Sequence, residues 1–144
     1  MEVDQPYLYR GTTLGWAGSE SARRESRTCA TSDPLVATLF AVHCLNFGRA
    51  VVHLVSRHGL PECPGNRLEE LEKEVVVEMP PVEFADRAVV TLSARESGDI
   101  LRSIGLALPP RIASGYNMLG YALEDWPRMT SSQIAEFDRL ALES

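Results

Sequence analysis

The junction Ser32-Asp33-Pro34 constrains the fold of this chain more than any other short segment. A Ser or Asp side chain caps a helix by accepting a hydrogen bond from a backbone N–H, and proline suits the first helical position because its φ is already helical. Residues 27–31, before the junction, have the character of a strand, and residues 34–45 carry apolar side chains at helical spacing. A strand that runs directly into a helix predicts a fold in which helices pack on a sheet.

Further strands are predicted on both sides of this junction. Each is a short run of β-branched, apolar or aromatic residues bounded by glycine, proline or polar turns. The run at 49–55 is mostly apolar, so we expect it to lie in the middle of a sheet. Pro80-Pro81 is expected to end the strand at 74–78, before the last predicted strand begins. The predicted strands are residues 7–10, 27–31, 49–55, 74–78 and 87–92.

The segment after residue 92 is predicted to be mostly helical. Ser93 with Glu96, and Thr130 with Gln133, have the spacing of a capping box, in which each side chain bonds the backbone N–H of the other residue. We expect helices to follow both motifs. Strands with one early helix and a helical tail predict an α+β fold, with residues 1–144 as a single domain.

The size and charge of the chain exclude some classes of protein. With 144 residues, 44% of them hydrophobic, the chain is large enough to form one compact core. Its formal net charge of -6 argues against a protein that holds nucleic acid by bulk positive charge. Residues 10–61 carry six arginines against three acids, whereas residues 62–83 carry seven acids against two basic residues. This distribution favours a site that binds an anion at one end and uses carboxylates at the other.

The cysteines, histidines and terminal segments carry no sign of metal binding or secretion. Cys29, Cys44 and Cys63 lack the spacing of metal ligands and are expected to be reduced thiols, with Cys29 a buried packing residue. His53, inside an apolar strand, is expected to be structural. The N-terminus lacks the pattern of a signal peptide, and no stretch approaches the ~20 apolar residues of a membrane span. We therefore expect a cytoplasmic protein with no metal and no membrane partner.

Three segments occur in an informative order: YLYRGTT at 7–13, TCATSDPLVATLFA at 28–41 and LEKEVVV at 71–77. Together they resemble the arginine-serine-glutamate class of the ADP-ribosyltransferase superfamily, which includes many bacterial toxins. In that class a strand ends in Arg-Gly, a second strand bearing Ser-Thr-Ser opens into a proline-started helix, and a later strand begins with Glu-x-Glu. The resemblance covers residues 7–92. It implies two small packed β-sheets around an NAD cleft, with residues 93–144 as a helical C-terminal extension.

The chain departs from the family in its second segment. Cys29-Ala30-Thr31 aligns with Ser-Thr-Ser, so a thiol replaces the first serine and alanine replaces the central threonine. Thr31 keeps a hydroxyl at a suitable place, and Ser32 is the alternative one residue later. A degenerate member that binds NAD or a partner without catalysis therefore stays open as an alternative.

The resemblance implies a role for each matched residue. Transfer of ADP-ribose breaks the bond between nicotinamide and ribose through a cationic, oxocarbenium-like sugar, which a carboxylate stabilises. Glu74 would be that carboxylate, Thr31 would orient it, and Glu72 would hold an arginine acceptor. Arg10 would bind the phosphates or the ribose of NAD, and the backbone of Gly11 would approach the nicotinamide amide. The implied contacts to NAD come from Arg10, Gly11, Thr12, Thr31, Ser32, Phe40 and Glu74.

These features predict a toxin-like, NAD-dependent mono-ADP-ribosyltransferase that consumes NAD as a substrate and releases nicotinamide. We expect the acceptor to be an arginine on a protein, because a glutamate-rich segment suits a cation and repels a nucleic-acid backbone. A nucleic-acid acceptor is an alternative, and so is an NAD glycohydrolase, in which water is the acceptor. A neutralising antitoxin or immunity protein is the partner that a toxin of this class would have.

Overall fold

A computed structural model describes residues 5–14, 25–43, 49–63, 74–107 and 128–144. Within these ranges the chain forms one six-stranded antiparallel sheet and four α-helices. The strands are β1 Tyr7–Thr13, β2 Thr28–Thr31, β3 Ala50–Ser56, β4 Glu62–Cys63, β5 Glu74–Val77 and β6 Ala88–Ser93. The helices are α1 Pro34–His43, α2 Pro81–Asp86, α3 Ala94–Ser103 and α4 Ser131–Leu142.

The sheet consists of two well-paired halves joined by a narrow seam. Its strand order is β4-β5-β2-β1-β3-β6. β1 pairs with β3 along its whole length, whereas β1 pairs with β2 at a single position, Tyr9 opposite Thr31. The predicted α+β class is therefore confirmed. The prediction of two packed sheets is wrong for the described residues, because this one bridge joins both halves into one sheet.

Helices cover the two faces of the sheet unequally. Successive strand residues point to opposite faces, so Tyr9, Val52 and Leu54 share one face, and Leu8 and Val55 share the other. The first group belongs to a buried cluster with side chains of α1, α3 and α4, and we call this side the three-helix face. The second group forms a smaller cluster with Phe84 of α2, and we call this side the α2 face.

Asp33 joins the start of α1 to the C-terminal part of the chain. The side chain is almost fully buried, and its Oδ1 accepts a hydrogen bond from the backbone N–H of Leu35 at 2.9 Å. Its Oδ2 accepts from the backbone N–H of Met129, also at 2.9 Å. The first bond is the helix cap predicted from the sequence. The second fixes the residues just before α4 against the beginning of α1.

The predicted element boundaries are mostly confirmed. Both capping boxes are present, at Ser93 before α3 and at Thr130 before α4. β1 is longer than predicted and extends to Thr13. The expected break at Pro80-Pro81 is also the start of α2, because proline at the first helical position needs no N–H donor and already has a helical φ.

Candidate functional site

The three segments that carry the resemblance lie on adjacent strands. Thr31 of β2 stands opposite Tyr9 of β1 on one side and opposite Glu74 of β5 on the other. Residues about 20 and 40 positions apart in the chain are thus aligned in one row across the sheet. Glu72 lies outside the described residues. For Glu74 the structure describes the backbone position, and its catalytic role stays a prediction.

Thr31 has a buried hydroxyl that is held by the start of the helix. The residue is 5% exposed, and its Oγ1 accepts a hydrogen bond from the backbone N–H of Asp33 at 3.1 Å. The same turn that caps α1 therefore orients the hydroxyl at the end of β2. Ser32, the alternative to Thr31, is half-buried and lies in this turn. The predicted bond from Thr31 to Glu74 stays a prediction.

Arg10 binds the backbone of β2 beside the seam. Its side chain is half-buried, and Nη1 donates a hydrogen bond to the carbonyl oxygen of Cys29 at 2.6 Å. Because Arg10 follows Tyr9, it lies on the α2 face, where it stands opposite His53 of β3. The guanidinium therefore adds a link between β1 and β2 where the backbone ladder has only one pair.

Gly11 is required by helix packing. A Cβ added to this residue would lie 1.8 Å from the carbonyl oxygen of Ala37 and 2.8 Å from the backbone nitrogen of Ala41. Both atoms belong to α1, which crosses β1 at this point. From the sequence, the backbone of Gly11 is expected to approach the nicotinamide amide. In the structure the close approach on the three-helix face is made by α1.

The other residues predicted to contact NAD lie on both faces of the sheet. Thr12 is buried on the α2 face, on the same side of β1 as Arg10. Phe40 of α1 is half-buried and packs against the cluster on the three-helix face. Cys29, predicted to be a buried packing residue, is exposed, so that prediction is wrong. Thr28 and Ala30, its neighbours in β2, carry the buried side of this strand.

A buried pair of Tyr9 and Asp138, which the sequence does not predict, connects the site to α4. The Tyr9 hydroxyl donates a hydrogen bond to Asp138 Oδ1, and the Tyr9 ring meets Phe137 edge to face at a centroid distance of 5.9 Å. Burial raises the pKa of Asp138 to about 6, although the bond from Tyr9 acts in the opposite direction. Burial and the adjacent Asp138 raise the pKa of Tyr9 well above its ordinary value. No sequence pattern links two residues so far apart.

His53 is buried in β3, as predicted, but one of its ring nitrogens has no partner. Nδ1 shares a hydrogen bond with Thr91 Oγ1 at 2.8 Å, whereas Nε2 is buried and makes no hydrogen bond. Burial, and then the positive charge of Arg10, lower the pKa of His53 below its ordinary value. The sequence placed His53 in a strand but gave no sign that Arg10 would be its neighbour.

The described ranges were also searched for a metal-binding cluster and for a helix that could cross a membrane. No three side chains of His, Cys, Asp or Glu in them are close enough together to hold a metal ion. None of the helices in these ranges has the length and apolar character needed to cross a membrane.

Comparisons of the chain with protein-family models, with curated proteins and with solved structures found no match. The functional assignment therefore depends on the residues and on their placement in the sheet.

Proposed function

We propose that this protein is an NAD-dependent mono-ADP-ribosyltransferase that transfers ADP-ribose to a macromolecular acceptor and releases nicotinamide. The observation that carries the proposal is the alignment of Tyr9, Thr31 and Glu74 on three adjacent strands. The three segments were singled out by their residues and their order alone. Their adjacency in the sheet supports a common site, since unrelated short motifs have no reason to become neighbours.

The proposed chemistry assigns separate tasks to these residues. The bond between the ribose C1′ and the nicotinamide nitrogen breaks, nicotinamide leaves with the electron pair, and the sugar becomes positively charged. Glu74 stabilises that charge, which develops only in the transition state. The acceptor then bonds to C1′ and loses a proton. Thr31 orients Glu74.

We propose an arginine side chain on a protein as the acceptor. Support comes from Glu72, two residues before Glu74, and from the seven acids of residues 62–83. A second carboxylate near the site holds a guanidinium and helps to remove its proton. A toxin-like enzyme of this kind would also have a neutralising partner protein.

The first test is transfer of label from NAD to macromolecules of a cell lysate. We expect Glu74→Gln to lower the rate by about 100-fold or more, because one preorganised group at a developing charge has an effect of this size. The control is Glu78→Gln. Glu78 follows β5, is exposed and forms a 2.9 Å ion pair with Arg27, so its loss should change the rate little. Full activity of Glu74→Gln with loss in Glu78→Gln would contradict the assignment.

A binding module without catalysis is the second candidate function. It is favoured by Cys29 and Ala30, which stand where the family has serine and threonine. In that case NAD would raise the melting temperature of the protein, but no nicotinamide would be released with or without lysate. Release of nicotinamide at a rate that lysate does not change would instead identify an NAD glycohydrolase.

A further inference from the structure

A row of three polar residues crosses the α2 face of the sheet. Arg10 of β1 stands opposite His53 of β3, and His53 stands opposite Thr91 of β6. Directly opposite residues of antiparallel strands point to the same face, so the three side chains are neighbours there. The adjacent row toward α2 is apolar and contains Leu8 and Val55. The polar row therefore begins where the apolar cluster of this face ends.

Solvent reaches both ends of this row. Arg10 is half-buried and Thr91 is exposed, whereas His53 between them is only 4% exposed. The clusters of α1, α3 and α4 lie on the opposite face, and Phe84 of α2 packs in the apolar cluster. A ligand that contacts Arg10 from solvent would thus be beside the ring of His53.

The unpartnered Nε2 of His53 is the feature that points to a ligand. Buried polar atoms in native proteins almost always have a hydrogen-bond partner, and an exception calls for an explanation. The Thr91 hydroxyl can donate to Nδ1, which leaves Nε2 as an N–H donor. A guanidinium and an imidazole N–H side by side are both donors. The group they fit is an anion with several acceptor oxygens, such as a phosphate.

We propose that Arg10 and His53 together form a phosphate subsite, in which one guanidinium N–H and His53 Nε2–H donate hydrogen bonds to oxygens of a ligand that carries a diphosphate. The phosphate chemistry follows from the two donors. The subsite lies on the opposite face of the sheet from the row of Tyr9, Thr31 and Glu74, so it does not depend on the proposed function. Thr91 is a positioning residue, since its hydroxyl holds the ring in the required tautomer. His53, expected from the sequence to be only structural, becomes a binding residue.

Ligand binding at this subsite is coupled to proton uptake. In the free protein, burial and Arg10 lower the pKa of His53, so the ring is neutral near pH 7. A bound anion opposes the effect of Arg10 and stabilises the charged ring, so it raises this pKa. Affinity must then increase as the pH falls through the pKa of the complex toward that of the free protein. Protonated Nδ1 can donate to Thr91, so the contact survives both states.

Within the described ranges, Arg10 is the charged neighbour of the ring. β6 presents Thr91, which does not titrate. α2 carries Glu83 and Asp86, both exposed. α1 and α3 pack on the opposite side of the sheet, where the ionisable side chains of α3 are exposed; these are Arg95, Glu96, Asp99 and Arg102.

The test uses calorimetric binding of ADP-ribose, whose bridging diphosphate does not titrate near neutral pH. We expect about tenfold tighter binding near pH 6 than near pH 8, the range in which histidine changes its charge. Repeating the titration in buffers of different ionisation enthalpy should show uptake of protons below pH 7. His53→Gln keeps an N–H donor near the position of Nε2 without a titrating group, so binding should persist with neither pH dependence nor proton uptake.

Two results would overturn the subsite. One is ADP-ribose binding by the unchanged protein without pH dependence, and the other is the unchanged pH dependence in His53→Gln. A purely structural histidine would alter the melting temperature in the variant but would leave the number of protons taken up unaffected. If NAD is cleaved but His53→Gln binds ADP-ribose with the same pH dependence and proton uptake as the unchanged protein, the subsite fails and the proposed function stands. If ADP-ribose binds with proton uptake but NAD is never cleaved, the subsite stands and the proposed function fails.

Discussion

The three-helix face and the α2 face belong to the same sheet but bury different kinds of side chain. On the three-helix face, Tyr9 bonds Asp138, and Asp33 bonds the backbone of Leu35 and Met129. On the α2 face the apolar cluster ends at the row of Arg10, His53 and Thr91, where a buried nitrogen has no partner. These hydrogen-bonded groups join distant parts of the chain, whereas His53 Nε2 is suited to a ligand.

Strand β1 contributes to both faces through alternate residues. Tyr9 and Gly11 meet the helices on the three-helix face, whereas Leu8, Arg10 and Thr12 lie on the α2 face. Substitutions at neighbouring positions of one strand can therefore separate stability from ligand binding. Changes on the three-helix face should mainly lower the free energy of unfolding. Changes in the polar row should mainly weaken binding.

Gly11→Ala should have the largest effect on stability. The new methyl would overlap the carbonyl of Ala37, and backbone atoms of a packed helix cannot move aside cheaply. We expect a loss of about 3 kcal/mol or more in the free energy of unfolding, at the upper end of overpacking effects. Denaturant titration followed by circular dichroism measures this change.

The control for Gly11→Ala is Gly59→Ala. Gly59 has φ of 77° and nothing within 4 Å of an added Cβ, so its cost comes from backbone strain alone. We expect this variant to lose roughly 1–2 kcal/mol in the free energy of unfolding. Equal losses in both variants would mean that α1 does not need its close contact with β1.

Asp138 should make stability depend on pH. Its pKa rises from an ordinary value of 3.8 to about 6 in the folded protein, so the folded state binds more protons than the unfolded state between these limits. The contribution of Asp138 to the free energy of unfolding is therefore fully present below about pH 4 and is lost as the pH rises through about 6. This loss amounts to between about 2 and 3 kcal/mol. Asp138→Asn keeps an acceptor for the Tyr9 hydroxyl and removes the titration.

The measurement is the difference in unfolding free energy between the unchanged protein and Asp138→Asn across this pH range. We expect the variant to gain relative stability as the pH rises. Asp99→Asn, at an exposed position of α3, is the matched control, since it makes the same chemical change without a buried carboxyl. A constant difference for Asp138→Asn would mean that the buried carboxyl titrates normally and that its link to Tyr9 is unimportant.

The sequence predicted features that depend on neighbouring residues. Asp33 and the capping boxes at Ser93 and Thr130 were recognised because a helix cap is set by a few consecutive side chains. Strand character was recognised in the same way. The division of β1 between two faces was also implicit in its alternation, although the sequence did not say which helices would cover each face.

Strand pairing and long-range contacts could not be predicted. The alternation of a strand fixes which residues share a face, but it does not name the partner strand or the register. The positions of Thr31 opposite Glu74 and of Arg10 opposite His53 therefore came only from the structure. The hydrogen bond from Tyr9 to Asp138 is likewise seen only in the structure. The exposure of Cys29 could not be predicted either, because the alternation of a strand does not show which part of a sheet face the helices leave uncovered.

Arg10→Lys should have the smallest effect on stability and a clear effect on binding. Lysine keeps the charge but loses the planar fork that serves both the carbonyl of Cys29 and a phosphate. We expect the free energy of unfolding to change by about 1 kcal/mol, the size of a typical net hydrogen-bond contribution. The affinity for ADP-ribose should fall about tenfold, because one charge-assisted hydrogen bond is lost.

Arg57→Lys is the matched control, because Arg57 also uses two nitrogens, which bind the carboxylate of Glu62 at 2.8 and 2.9 Å. It lies just after β3, away from the polar row, so it should lose a similar amount of stability and no affinity. If Arg10→Lys instead destabilises the protein as much as Gly11→Ala, the α2 face is as important for folding as the three-helix face. Arg10 would then hold the seam between β1 and β2, and the division of β1 into a structural and a binding side would be wrong.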